Sequence, residues 1–532
     1  MKSPFPPDWV LAHAARDPLA PAVASPDARL SYGDLADRMR ALASCLARSG
    51  VRAGERVLIA LPNSPASVVA SLALQHLGAC VVEVGRQWGT DALGAVATQT
   101  DARHAFVPAR DVRMWREIAR SHPLSLWVVQ SGLTAPGTGE ASGDASVVRL
   151  LEDGRLDPGS AAAKAQGTLV APADRHPDSP ALILYTSGST GKPRGVIQSS
   201  RNIDANTRSI VEYLELTAAD RAMLTLPLSY CYGRSVLQTH LFVGGSVFLD
   251  NRFLYPQVVM DTIGAEGCTG FAGVPLTFEI IRQRVDVASL SWPNLRYVTQ
   301  AGGAMAADTI RWVRRAFHPA RLFVMYGQSE ATARLSYLPP ERAADKDGSI
   351  GIAIPGVELK VVDADGVEVA PDEIGQLVAR GDNVTLGYLD EPDETAALLR
   401  DGWLWTGDVA YRDRDGFFFH VGRSNEIFKI SGHRVSPVEI EQALERHPRV
   451  AEAGVVRVSR APSGEAAAAF VVRRPGGPVS EADLRRFCRE QLPAYKVPQT
   501  ITFVDALPRT EAGKLLRAEL ATTRASAAVL GG

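Results

Sequence analysis

The chain has 532 residues, 46% hydrophobic and 22% charged, a balance that excludes a disordered or fibrous protein and predicts about three or four compact units. Its 57 basic and 59 acidic residues leave a net charge of −2. No global field then favours nucleic acid or an anionic membrane, and the expected partner is a small molecule or a protein.

The amino-terminal stretch MKSPFPPDWVLAHAARDP has no apolar core of signal-peptide length. Leu35, Met39, Leu42 and Leu46 recur near helical spacing and predict a core-facing helix. Val57 to Val82 contains no Lys, Arg, Asp or Glu, yet Pro62, Asn63, Pro65, Gln75 and His76 interrupt it. A strand (RVLIAL), a turn (PNSP), a helix (ASVVASLALQHLG) and a strand (ACVVEV) explain that run better than a membrane span does.

Strand-like stretches follow at ARHAFVPA, SLWVVQS, PALILYTS, AMLTLPL, GSVFLD and RYVTQAGG, with helical patterns between them. Buried strands alternating with helices predict an α/β fold with parallel layers. Gly132 to Asp178, rich in Gly, Ala, Ser and Asp, reads as a long surface connection or a partly mobile stretch without chemistry.

After Gly348, GVELKVVDADGVEVAPDEIGQLVARGDNVTLGY reads as short strands joined by Asp-Gly turns, a β-rich subdomain over about 345–422. The remaining chain restarts an α/β pattern: SPVEIEQALERH and SEADLRRFCREQL as helices, AEAGVVRVS and AAAAFVVRR as strands. The plan is a large unit over 1–422, a boundary at 423–426 and a small α+β domain over 427–532. Cys45, Cys80, Cys231, Cys268 and Cys488 form no CxxC pair, and an odd count suits reduced thiols. A cytoplasmic protein is expected.

One loop invites a phosphate. In LYTSGSTGKPRG, Thr186, Ser187, Ser189 and Thr190 offer hydroxyls, Gly188 and Gly191 let backbone N–H groups approach an anion, and Lys192 adds charge. It is not a Walker loop. Only two residues separate the glycines, and Pro193 stands where a magnesium-binding hydroxyl is needed. A hydrolase of the P-loop type is therefore disfavoured.

Further motifs follow in order. YGQSEAT (Tyr326–Thr332) comes after the apolar RLFVM, and Trp405-Thr406-Gly407-Asp408 precedes a strand-turn pattern. Gly422-Arg423 leads into EIFKISGHRV, and PRTEAGK ends on Lys514. Together, from about Leu30 to Arg517, these resemble the adenylate-forming superfamily of acyl- and aryl-CoA synthetases, peptide-synthetase adenylation domains and firefly-type luciferases. The resemblance implies ATP-dependent conversion of a carboxylic acid to acyl-AMP, with magnesium, then transfer to a pantetheine thiol. CoA is the commonest acceptor, and the phosphopantetheine of a separate carrier protein is the alternative. It makes 1–422 the adenylation domain and 427–532 a mobile domain.

The resemblance also implies roles. The Thr186–Lys192 loop would hold the β- and γ-phosphates. Gly302, Gly303 and Ala304 would line the adenine site, with Tyr326 stacked on the base beside Gly327. Ser329, where threonine is commoner, would donate toward the α-phosphate, and Glu330 would hold magnesium. Asp408 would accept from the ribose hydroxyls with Arg423 in support, and Lys514 would bridge the forming acyl-adenylate. Asn425, where the family usually has Asp or Lys, would be the hinge. Ser431, Gly432 and His433 would line the thiol tunnel.

In LPLSYCYG, Tyr230 and Tyr232 are candidate acyl gates, with Gly270–Pro275, including Val274, and Gly302 as further walls. No aspartate lies between Pro227 and Val236 to pair with an α-ammonium, which argues against an amino acid. Arg234 is expected to face solvent. A non-catalytic nucleotide-binding module is a competing reading, against which the joint presence of Glu330, Asp408 and Lys514 argues.

Overall fold

Helix and strand patterns in the first four hundred residues resolve into two large sheets with helices between and outside them. The computed structural model describes residues 3–85, 88–130, 147–157, 174–187, 193–430, 433–460, 464–474, 476–509, 515–517 and 519–521. One sheet has nine strands; at its centre Ser246–Leu249, Arg221–Leu224, Gly270–Gly273, Tyr297–Gln300 and Arg321–Tyr326 run parallel in that spatial order. The other has eight, with Pro180–Ser187, Cys80–Glu83, Arg56–Ile59, His104–Pro108 and Ser125–Gln130 parallel. The expected parallel layers are present, with antiparallel additions at the edges.

Alternation within the strands divides the core. Val57, Ile59, Val81 and Leu182 join one cluster that also takes residues from the nine-stranded sheet, while Leu58, Val82 and Ile183 join a separate cluster on the opposite face. The charge-free run is explained by that arrangement: every residue of the helix Pro65–His76 is buried, so there is no solvent face for a charge. The stripe Leu35, Met39, Leu42 and Leu46 is fully buried on the helix Tyr32–Arg48, which starts at a reciprocal Ser31–Asp34 cap. Each such side chain contributes about 1.5–3 kcal/mol on leaving water.

Two expectations change. Gly132–Asp178 is not all featureless: Val147–Leu151 adds a parallel strand beside Ser125–Gln130. The short apolar run VVRLL is enough for one edge strand. The β-rich run also divides. Val357–Val362, Gly375–Gly381, Trp403–Arg412 and Phe418–Arg423 form one antiparallel sheet, but Gly387–Tyr388 pairs with Pro193–Ser199 of the eight-stranded sheet.

The small domain pairs Val450–Arg460, Gly464–Arg473 and Thr500–Phe503 under the helices Pro437–Glu445 and Glu481–Gln491, around its own apolar cluster. Arg474 approaches Glu279 of the large unit at 4.0 Å. Among the described residues, no helix is long and apolar enough to cross a membrane.

Candidate active site

Two groups of predicted residues follow the carboxyl ends of neighbouring parallel strands, where open α/β sheets bind ligands: Gly302–Ala304 and Tyr326–Glu330. Tyr297–Gln300 delivers the exposed Gly302, Gly303 and Ala304, and the Gln300 amide holds that turn by donating to the Gly303 carbonyl at 2.8 Å. Gly302 has φ +87°, and a Cβ there would lie 2.4 Å from the Tyr230 hydroxyl and 3.2 Å from Val274. Gly302, Tyr230 and Val274 therefore converge on one spot.

Arg321–Tyr326 ends in the YGQSEAT turn. At Gly327 a Cβ would meet the Ala333 carbonyl oxygen at 2.0 Å, so the turn needs glycine. Ser329–Ala331 forms one turn of 3₁₀ helix, followed by Thr332 at φ 64°, ψ −58°. That is a strained γ-turn, closed by Ala333 N–H donating to the Ala331 carbonyl at 2.7 Å. The strain is held: the Thr332 hydroxyl donates to the Asn383 carbonyl at 2.7 Å, and the Gln198 amide donates to the Ser329 and Thr332 carbonyls. The turn presents Glu330, whose Oε1 accepts from the Tyr388 hydroxyl at 2.8 Å. Its other oxygen makes no hydrogen bond among the described residues.

Asp408 stands opposite Arg423 in the ladder between Trp403–Arg412 and Phe418–Arg423. It is 2% exposed. It accepts from the Tyr326 hydroxyl at 2.5 Å and lies 3.3 Å from His420 Nε2 and 3.0 Å from Arg423 Nε. Burial alone would raise its pKa; the Arg423 charge, His420 and the Tyr326 hydroxyl outweigh burial and hold it at about 2. Burial and the adjacent carboxylate push the Tyr326 phenol well up, so it remains a donor.

Tyr232 is 1% exposed and donates to Thr299 Oγ1 at 2.7 Å. Arg234 overturns the solvent-facing expectation. It is buried, paired with Glu83 and bonded to Ser71 Oγ at 3.0 Å, bridging the helix Cys231–Val243 to the eight-stranded sheet. Its partners lie about 150 and 160 residues away, which spacing along the chain cannot reveal.

Asn425 lies in the turn after Phe418–Arg423, where Glu426 and Ile427 N–H groups donate to the Arg423 carbonyl. His433 stacks on Tyr495 with centroids 4.3 Å apart. Gly188, Ser189, Thr190, Gly191, Lys192, Ser431, Gly432 and Lys514 lie outside the described residues, as does the side chain of Ser187; Thr186 is half-buried at the end of Pro180–Ser187. His420, Tyr388 and Gln198 escaped sequence reasoning. His420 left no signal: strict alternation puts a residue three before Arg423 on the opposite face, and the bulge at Val421 brings both to Asp408.

Among the described residues there is no cluster of three or more His, Cys, Asp or Glu that would cage a metal ion. A single carboxylate, one oxygen of which makes no hydrogen bond among the described residues, is the donor set that magnesium takes when phosphate oxygens complete its shell, so Glu330 fits that ion.

Comparison with known proteins agrees with this geometry. Residues 10–389 match the family model of AMP-binding enzymes, and residues 439–514 match that of the AMP-binding enzyme C-terminal domain. The chain is 32% identical over 515 residues to a sulfoacetate–CoA ligase of Cupriavidus necator, with 96% of each covered. It is 31% identical over 522 residues to a feruloyl-CoA synthase of an Amycolatopsis species, covering 96% of this chain and 97% of the relative. Among solved structures it resembles ATP-bound MatB from Rhodopseudomonas palustris, with TM-score 0.86, 27% identity and 97% and 98% of the chains covered. It also resembles the o-succinylbenzoate CoA synthetase of Bacillus subtilis in complex with an acyl-adenylate intermediate, with TM-score 0.82, 26% identity and 96% and 97% covered.

Proposed function

This chain belongs to the AMP-binding enzyme family, and from that premise we propose that it is an AMP-forming acid–thiol ligase acting on a carboxylic acid, ATP and CoA. A carboxylate oxygen attacks the α-phosphorus of ATP, the bond to pyrophosphate breaks, and acyl-AMP forms. The CoA sulfur then attacks the acyl carbon, and AMP leaves with the bonding electron pair.

The observation that carries this reading is the setting of Asp408, a buried carboxylate paired with Arg423 and accepting from Tyr326. A buried carboxylate kept ionised, with donors arranged about it, is built to accept from a ribose diol. Tyr326 and Gly302–Ala304 are assigned to the adenine, Ser329 to the α-phosphate, and Glu330, steadied by Tyr388, to magnesium. When bound there, magnesium supplies charge neutralisation for the phosphates. Gly188–Lys192 are assigned to the leaving pyrophosphate and Lys514 to the acyl-adenylate oxygens. Tyr230, Tyr232, Val274 and Gly302 are assigned to the acyl wall, Asn425 to the hinge between 1–422 and 427–532, and Ser431–His433 to the thiol passage.

The five cysteines are all free and buried, which supports a cytoplasmic setting. The test is carboxylate-dependent ATP–pyrophosphate exchange over a panel of acids, followed by CoA or an acyl carrier protein as acceptor. Exchange and thioester formation with CoA are expected. ATP cleavage to ADP, or no exchange with any acid, would overturn the proposal; thioester formation with the carrier protein alone would replace CoA as the acceptor.

A further inference from the structure

Behind the candidate acyl wall lies a cavity of about 20 Å³, the room about one water needs. Its lining includes Tyr232 of the gate segment and Gly270 and Ala272 of the predicted wall, which places it directly behind that wall. Most of its polar groups are satisfied: the Tyr232 hydroxyl bonds Thr299, and His240 Nε2 lies 3.0 Å from the Tyr297 hydroxyl.

Arg334 is the exception. It is 3% exposed and lines the cavity, yet among the described residues no carboxylate lies within 4 Å of it. Nη1 reaches the Ala333 carbonyl at 3.3 Å and Nη2 the Ser235 hydroxyl at 3.4 Å, both long for hydrogen bonds, and Nε has no partner. The Tyr232 ring covers its face at 4.5 Å. A guanidinium cannot shed its proton, and a buried cation without an anion is costly. Its contacts among the described residues are to neutral oxygens and a phenol ring, so the missing partner is an anion that arrives from outside.

We propose that this cavity is the inner end of the acyl pocket and that Arg334 receives a second anionic group, carboxylate or sulfonate, at the far end of a short-chain acid substrate. The proposal rests on the ligase reading. A terminal anion would displace the water-sized void and meet the fork of Nε and Nη donors, whereas an uncharged chain end of the same length would leave the cation unpaired. The small volume favours a short aliphatic acid over an aromatic one.

The test is exchange with matched acids: propanoate against malonate, butanoate against succinate, and butanoate against 3-sulfopropanoate. The dianionic member of at least one pair is expected to be favoured in kcat/KM by on the order of 100-fold. Arg334→Met should erase that ratio while exchange with the monoanion persists, and Arg334→Lys should restore part of it. The malonate and succinate arms report a carboxylate subsite, the 3-sulfopropanoate arm a sulfonate subsite. Equal or better use of the monoanions by the unaltered protein, or activity confined to aromatic acids, overturns the inference and leaves the ligase reading standing. A loss that is equal for both members of a pair in Arg334→Met also overturns it, since that is the signature of a structural role. No exchange with any acid overturns both readings. Because the first comparison uses the unaltered protein, a variant that fails to fold does not remove the test.

Discussion

Asp408 joins three residues that are far from it or unremarkable along the chain: Tyr326, His420 and Arg423. Its depressed pKa has a consequence for stability. The unfolded carboxyl titrates near 3.9 and the folded one at about 2, so the contribution is fully present above about pH 4 and is lost as pH falls toward 2. Acid unfolding of Asp408→Asn should therefore show a shallower loss between pH 4 and 2 than the unaltered protein, and its nucleotide affinity at pH 7 should fall by on the order of 10–100-fold, read by calorimetry. Tyr388 gives a second prediction. Tyr388→Phe removes the donor to Glu330 and should raise the magnesium concentration for half-maximal exchange by about 10-fold, with little change in melting temperature. Asp408, Glu330 and Tyr326 were legible because they stand inside short motifs. His420 and Tyr388 were not, because sheet register and a strand paired across the molecule bring them to the site.

At the scale of elements, apolar periodicity carried most of the reading, and the structure adds the caps. Ser31, Ser64, Ser199 and Ser480 each accept from the third residue of the helix that follows, and the strand runs RVLI, CVVE and SLWVVQ are found as read. What failed was partner choice. GVELK through LGY has one texture, yet its last two residues leave the β-rich sheet for the eight-stranded one. Arg234 looked like a surface charge because a buried partner 151 residues away leaves no local mark. The Glu83–Arg234 pair can be tested as an element-joining bond. Glu83→Ala should destabilise by about 3–5 kcal/mol, because it strands a buried cation, whereas Glu83→Leu with Arg234→Met should recover most of that loss. Urea unfolding of the two variants measures the difference.

The whole molecule is a large layered unit followed by a small domain with its own core, and the connection runs through the turn at Asn425. If the small domain rotates between half-reactions, two substitutions should separate them. Lys514→Ala should suppress acyl-adenylate formation far more than thioester formation from supplied acyl-adenylate. Asn425→Pro, which restricts the backbone at the pivot, should slow the complete reaction by at least about 10-fold while leaving exchange less affected. Equal losses in both half-reactions for both variants would remove rotation from the mechanism. A small separate unit at the carboxyl end was read from the restart of an α/β pattern, but contacts between the two parts, such as Arg474 with Glu279, were not legible.

Arg423 belongs to two structures at once. Its side chain neutralises Asp408, and its carbonyl accepts the N–H groups of Glu426 and Ile427 just past Asn425, the proposed pivot. Any torque that reorients the turn is thereby felt as a change in the field around the proposed ribose acceptor. If the small domain turns there, nucleotide affinity and domain orientation form one linked equilibrium, in which AMP would bias the turn by the same free energy with which the turn biases AMP. Product release would be governed by a lever whose fulcrum is a single arginine.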